Sequence, residues 1–330
     1  MKRFAYDFER PLVELETKLE ELKRLGPAEK EDIATQIAYL ENQIQRLRVR
    51  TYSNLTAWQK VQIARHPDRP RTSDYIEAIF TDFIELHGDR TFSDDFAIVG
   101  GFARLDDAKV MIIGHQKGRN TKENIARNFG MPHPEGYRKA MRLMKMANKF
   151  GLPLITFVDT PGAYPGVGAE ERGQAVAIAQ SLMEISMLEV PVIVVNIGEG
   201  GSGGALAIGF GDWIIMLENS YYSVITPEGC VSILWDGEGR TEDAAESLGL
   251  TADKLLEIGI IDRIVKEPLG GAHYAPALVA RELKKELIEA LESVSKVSTE
   301  SLIEQRYSRL RQIGYYANIP DESEPLGVKS

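Results

Sequence analysis

The sequence predicts an α/β domain on a largely parallel sheet, with helical segments at both ends. Through the middle of the chain, short apolar strand-like runs alternate with helix-period patterns, the signature of crossover connections in a parallel sheet. The first fifty residues instead carry a seam of leucine and isoleucine at alternating spacings of three and four. With 330 residues, 43% of them apolar, the chain is long enough for one large domain with appendages.

In the seam, Leu12, Leu15, Leu19 and Leu22 face Ile33, Ile37, Leu40, Ile44 and Leu47 across Gly26-Pro27. Glycine ends one helix and proline opens the next, so an antiparallel helical hairpin is expected. It serves either as a cap on the main core or as an oligomer contact. A connector rich in proline and arginine, 66–72, leads to a helix expected over 74–86. Strands over 97–105 and 109–114 meet at a tight turn, Asp106-Asp107. A helix over 137–149 puts Tyr137, Ala140, Met141, Met144 and Ala147 on one face. A buried strand over 152–158 precedes a loop, 159–168, that holds Pro161, Gly162, Pro165, Gly166 and Gly168. A helix over 174–188, a buried strand over 190–197, a glycine turn, a short helix to about Phe210 and a strand over 213–217 follow. Helices over 277–291 and 299–312 close the chain, and the tail 321–330 is polar.

Composition excludes several function classes. The net charge of -10 argues against general binding to nucleic acid or anionic membranes. One cysteine, Cys230, permits neither an intrachain disulfide nor a cysteine cage for metal. No apolar run approaches membrane-spanning length, and Asp7 and Glu9 follow the basic start instead of a signal-peptide core. A cytoplasmic protein is expected. His66, His87, His115, His133 and His273 show no metal-ligand spacing, so no metal is expected in this chain.

Residues 198–204 contain five glycines around Glu199 and Ser202. They fit a dinucleotide fingerprint through Gly198, Gly200 and Gly203. That motif needs a full-length helix behind it, and Gly209 and Gly211 stop this one early. They also fit a nucleophile elbow around Ser202, whose base would have to be the downstream His273. A third chemistry needs no side chain: amides at a helix start pointing at a developing oxyanion. Close packing of a helix start against a strand explains the glycines equally well.

The stretch Phe157-Val158-Asp159-Thr160-Pro161-Gly162-Ala163-Tyr164-Pro165-Gly166, taken with 198–206, resembles the alpha subunits of bacterial acetyl-CoA carboxylase carboxyltransferase. His87-Gly88-Asp89-Arg90, residues 131–136, residues 222–228 and Tyr316-Ala317-Asn318-Ile319-Pro320 fit the same family. The resemblance implies a crotonase-like (ClpP/crotonase) α/β spiral. It divides the chain into an N-terminal helical region (1–65), a carboxyltransferase domain (66–275), C-terminal helices (276–320) and the tail. It further implies an α2β2 complex with a beta subunit of similar fold, which carries the family's zinc ribbon. That complex passes a carboxyl group from biotin, carried on a carrier protein and loaded by biotin carboxylase, to acetyl-CoA. By resemblance, the Gly203 and Gly204 amides hold the biotin ureido oxygen, and Gly162, Ala163 and Gly166 shape the biotin pocket. A Gly204→Val change is then expected to remove activity without disturbing assembly.

Other charged features read less sharply. The segment 115–149 holds nine Lys or Arg and two Glu. Lys117 and Arg119 fit contacts to the phosphates of CoA or to a subunit, with nucleic-acid contact as a further reading. Arg138, Lys139, Arg142 and Lys145 fit a solvated helix face. His87 is expected to bond a loop backbone, and Arg172 to pair with Glu170 or Glu171. A serine hydrolase using Ser202, and a scaffold without catalytic function, remain the alternatives from other classes.

Overall fold

A computed structural model describes residues 4–24 and 31–314. The break at Gly26-Pro27, segment 316–320 and the tail lie outside the described residues. Helices α1 (Arg10–Arg24) and α2 (Glu31–Tyr52) form the hairpin. Arg48 pairs with Glu16 at 2.5 Å and Lys23 with Glu41 at 2.7 Å, so the two helices run antiparallel. Of the seam, only Leu12 and Ile44 are fully buried; the others are half-buried.

Helix α3 (Ala57–Ala64) starts at Thr56, whose hydroxyl accepts from Gln59 N. Helix α4 spans Thr72–Ile79, and strand β1 spans Thr81–Glu85. The helix expected over 74–86 is thus half strand. Its second part, Phe80-Thr81-Asp82-Phe83-Ile84, is aromatic and β-branched, and it pairs at the sheet edge with β2 (Ile98–Leu105). Strand β3 (Ala108–His115) pairs with β2 in the expected hairpin, Leu105 opposite Ala108. Asp106 takes φ 51°, as a two-residue turn requires.

Short α5 (Thr121–Ala126) and a 3-10 turn lead to α6 (Pro134–Phe150), which ends on Gly151 at φ 63°. Strand β4 (Leu154–Thr160), α7 (Val167–Glu171), α8 (Gln174–Ser186), β5 (Val192–Gly201), α9 (Ser202–Leu206) and β6 (Trp213–Leu217) alternate as the pattern implied. Strand β7 (Tyr221–Ser223), α10 (Pro227–Leu234), α11 (Thr241–Ser247), α12 (Ala252–Glu257) and β8 (Arg263–Val265) escaped the sequence reading, because each is short. Helices α13 (Pro276–Val294) and α14 (Thr299–Gln312) complete the described chain.

The sheet runs β1-β2-β3-β4-β5-β6-β8, with β7 beside the end of β5. Pairings are antiparallel from β1 to β3 and parallel from β3 onward. Both faces are covered, as a parallel sheet demands. Ile112, Phe157, Ile193 and Val195 pack toward Ile76 of α4 and Leu283 of α13. Their neighbours Met111, Ile113, Val158 and Val194 pack toward Leu143 and Met144 of α6 and Ile185 of α8. In α6, Leu143 takes the buried position assigned to Met141, which is half-buried. Arg306 of α14 is buried, paired with Asp212 at 2.7 Å, and donates to the carbonyls of Ile185, Leu188 and Val190. It thereby ties α14 to the end of α8, whose last carbonyls have no partner within their own helix.

Candidate active site

Ligands of open α/β sheets bind beyond the carboxyl ends of the strands. Two segments leave adjacent strands there: 161–166 after β4, and the glycine turn after β5. The turn differs from the expectation. Strand β5 continues through Gly201, and α9 is only five residues long.

The glycines divide by what surrounds them. A Cβ at Gly198 would stand 2.4 Å from Asp159 Oδ1, at Gly200 2.5 Å from Asn196 Nδ2, and at Gly201 2.1 Å from Pro161 O. These three are glycine because the strand is packed too closely for a side chain. Gly203 is open, with only Ile178 Cγ2 at 3.8 Å. A Cβ at Gly204 would meet Ala163 N at 2.3 Å, Gly162 C at 2.5 Å and Tyr137 Oη at 2.8 Å. Gly204 therefore packs against the backbone of the Pro-Gly loop. Gly204→Val would push that loop away, so the change cannot isolate a lost donor as the sequence reading assumed.

The loop itself is fixed. Thr160 Oγ1 donates to Gly162 O at 2.7 Å and accepts from Gly162 N at 3.1 Å. Tyr164 N donates to Pro132 O, and Gln174 Nε2 bonds the Pro132 and Tyr164 carbonyls. At Gly166 a Cβ would strike the Tyr164 ring at 2.4 Å. Among the described residues, no hydrogen bond uses the N–H groups of Ala163, Gly203 or Gly204. Three backbone donors without acceptors at one junction suit a negatively charged oxygen.

A buried charge network anchors both segments. Lys117 Nζ, just past β3, donates to Asp159 Oδ1 at 2.6 Å and Glu199 Oε2 at 2.8 Å. Glu199 Oε1 accepts from Arg65 Nε and from Tyr221 Oη, each at 2.7 Å. Glu199 N donates to Asp159 Oδ1 at 3.0 Å. Burial opposes the charge on Lys117, but Asp159 and Glu199 outweigh it and hold its pKa above that of a free lysine. Burial likewise works against the Glu199 carboxylate, yet Lys117 and Arg65 hold its pKa down to about 2.

Beneath the turn lie two fully buried polar side chains, Tyr137 and His115. The Tyr137 hydroxyl has no hydrogen-bond partner among the described residues, whereas the His115 ring lies against the backbone of Gly204 and Phe157. Burial pushes the His115 pKa down to about 3, so its ring is neutral. Leaving a buried hydroxyl such as that of Tyr137 unpaired costs about 1–3 kcal/mol. Sequence reasoning placed Tyr137 on a helix face and His115 nowhere; the only legible signal was their polarity inside apolar runs.

Other sequence assignments move. Lys117 is enclosed by two carboxylates and is not an open phosphate contact. Arg119 is exposed and paired with Asp74. Arg172 pairs with Glu135 at 2.8 Å and lies over Phe92, so the expected pairing with Glu170 or Glu171 is replaced by one across elements. The His87 ring meets Asp94 at 2.9 Å in place of a backbone group. Arg138 and Lys139 bind Asp89 and Asp94 and hold the 88–95 loop; Lys139 is fully buried, not solvated. Ser202 is exposed at φ 56°, as an elbow serine would be, but no described hydrogen bond joins it to a histidine. His273 instead stacks on His66 at 3.7 Å beside the connector. Among the described residues, no group of three or more His, Cys, Asp or Glu could hold a metal, and no helix is long and apolar enough to cross a membrane.

Comparison with known proteins bears on the same residues. The family profile described as "Acetyl co-enzyme A carboxylase carboxyltransferase-like" matches residues 5–314. The acetyl-coenzyme A carboxylase carboxyl transferase subunit alpha of Actinobacillus pleuropneumoniae serotype 5b (strain L20) is 58% identical over 316 residues, 96% of this chain and 100% of that protein. The protein of the same name from Stenotrophomonas maltophilia (strain K279a) is 54% identical, over 94% of this chain and 97% of that one. Among solved structures, the transcarboxylase 12S hexamer core superposes with TM-score 0.55 at 21% identity, covering 67% of this chain and 40% of that one. The beta subunit of P. aeruginosa geranyl-CoA carboxylase gives 0.53 at 15%, covering 76% and 46%. The crotonase-like fold implied by the resemblance is the fold observed.

Two outcomes follow from the geometry. Gly203→Ala should leave the melting temperature within about a degree of the parent, whereas Gly204→Ala should lower it by several degrees through displacement of the Pro-Gly loop; equal melting temperatures would contradict the packing. Glu199 has a folded-state pKa near 2 against 4.5 for a free glutamate. Its contribution is therefore present above pH 4.5 and is lost as pH falls through about 2. Urea titrations across that window should show a shallower acid loss of stability in Glu199→Gln than in the parent.

Proposed function

The chain belongs to the acetyl-CoA carboxylase carboxyltransferase alpha-subunit family, and from that premise we propose that its glycine turn serves the biotin half of a carboxyl-transfer site. The activity is transfer of a carboxyl group to acetyl-CoA, giving malonyl-CoA for fatty-acid synthesis. Biotin enters as a substrate on a separate carrier protein, loaded by biotin carboxylase. The beta subunit supplies the acetyl-CoA half of the site in an α2β2 assembly, in the cytoplasm. We assign this chemistry to 66–275, with the hairpin and C-terminal helices as appendages.

The observation that carries the proposal is the junction of Gly204 with Gly162 and Ala163, where, among the described residues, no hydrogen bond uses the N–H groups of Ala163, Gly203 or Gly204. Biotin supplies the carboxyl group, and its ureido oxygen gathers negative charge as the group leaves. In this reading the Gly203 and Gly204 amides donate to that oxygen. Gly162, Ala163 and Gly166 give the slot its opposite wall. Those donors are fixed before the reaction, so no reorganisation is required as charge develops. Lys117 acts by holding the walls in register. The serine-hydrolase alternative loses support, since Ser202 has no bonded base among the described residues.

Replacing Gly203 or Gly204 by glycolate exchanges one N–H for an ester oxygen with little change of shape. Malonyl-CoA decarboxylation in the presence of biocytin, measured on the complex with the beta subunit, should fall about a hundredfold or more for the position that donates. Parent-like rates for both esters would remove the oxyanion role.

A further inference from the structure

A cavity of about 220 Å³ lies between the 66–71 connector and the segment that follows β3. Its walls include Arg65, Arg69, Arg71, Lys117 and Arg119. Four of these cations are neutralised: Arg65 by Glu199 and Glu228, Arg69 by Glu267, Lys117 by Asp159 and Glu199, and Arg119 by Asp74. Arg71 is the exception. It is 8% exposed, and its guanidinium bonds the Pro67 carbonyl at 2.7 Å without a carboxylate partner among the described residues.

The remaining donors of Arg71 are not sealed from solvent, so they can meet an anion that enters the cavity. Burial, and then the neighbouring Arg119 charge, lower the pKa of Arg71 against the opposing pull of Asp74, Asp159 and Glu123, and Asp159 shares the cavity wall. On the same wall, Asn124 Oδ1 accepts from Gly118 N at 2.9 Å, which leaves its amide N–H groups toward other acceptors. Arg119 lines the same cavity, largely exposed and paired with Asp74.

We propose that this cavity is a phosphoryl-binding site, with Arg71 as the principal ligand and Arg119 and Asn124 closing on the remaining oxygens. Three donor groups on two walls match the three terminal oxygens of a phosphoryl group better than the two of a carboxylate. The volume falls below that of sites that enclose a drug-sized molecule, so a head group enters and a nucleoside does not. The phosphoryl group comes either from the 3′-phosphate of a CoA thioester or from free phosphate. The site keeps the cationic role read for Arg119, moves its centre to Arg71, and stands whether or not the glycine turn stabilises the ureido oxygen.

The probe is inorganic phosphate, titrated calorimetrically into the full chain. Saturable one-site binding is expected, weakened about tenfold or more by Arg71→Gln, the loss of a charge-assisted bond. Arg119→Ala, at an exposed position, should weaken it several-fold with an unchanged melting temperature, and decides the matter if Arg71→Gln does not fold. Competition by CoA but not by 3′-dephospho-CoA supports the site with CoA as the source; competition by neither supports it with free phosphate as the source. No saturable binding up to about 10 mM phosphate, or the same affinity in parent and Arg119→Ala, overturns the proposal.

Discussion

One ammonium group holds the working end of the sheet together. Lys117 follows β3, Asp159 lies in β4 and Glu199 in β5, three neighbours in the strand order. Their side chains meet within 2.6–2.8 Å. The Pro-Gly loop begins two residues past Asp159, and the glycine segment surrounds Glu199. The separation of the two walls thus rests on the β4–β5 pairing, which reaches Thr160 and Gly200, and on the buried ion cluster beside it. Removing one partner of such a cluster leaves an uncompensated charge, at a cost of about 3–5 kcal/mol.

Close backbone packing completes what the ion cluster begins. Gly198 makes room for the Asp159 carboxylate, Gly201 for Pro161, and Gly204 for Gly162 and Ala163. The glycine-rich composition thus serves mostly proximity. Only Gly203 has room beside it, which separates a residue that packs from one that borders open space. The unpaired Tyr137 hydroxyl lies at this same junction, so the interior of the protein carries a polar cost at the place where the walls meet.

Much of the architecture was legible because it rests on periodicity. The hairpin seam, the β2–β3 turn at Asp106-Asp107, α6, β6 and α14 lie close to their predicted ranges. The edge strand β1 was not legible, because five residues after a helix carry too little pattern to mark a change of period. The partners of the charged residues were hidden for a different reason. Lys117 reads as one of a run of basic residues, yet its partners are 42 and 82 positions away. Arg172 reads as a neighbour of Glu170 and Glu171, yet it reaches Glu135, 37 positions back. Local sequence gives the charge, and only the fold gives its counter-charge. The Pro-Gly loop and the glycine turn were both legible as motifs; their contact through Gly204 was not.

The central claim is that the Lys117 cluster acts on the reaction by holding the two walls in register. The triple variant Lys117→Met, Asp159→Asn, Glu199→Gln removes the charges together, keeps the side-chain volumes, and retains the Oδ1 acceptor for Glu199 N. Arg65 loses Glu199 but keeps Glu228, and buried charges replaced together are often close to neutral in stability. The decisive measurement is the rate of biocytin-dependent malonyl-CoA decarboxylation by this variant in complex with the beta subunit, with its melting temperature recorded alongside. The account predicts a folded complex whose rate falls by about tenfold or more. A folded complex that works at the parent rate would contradict it.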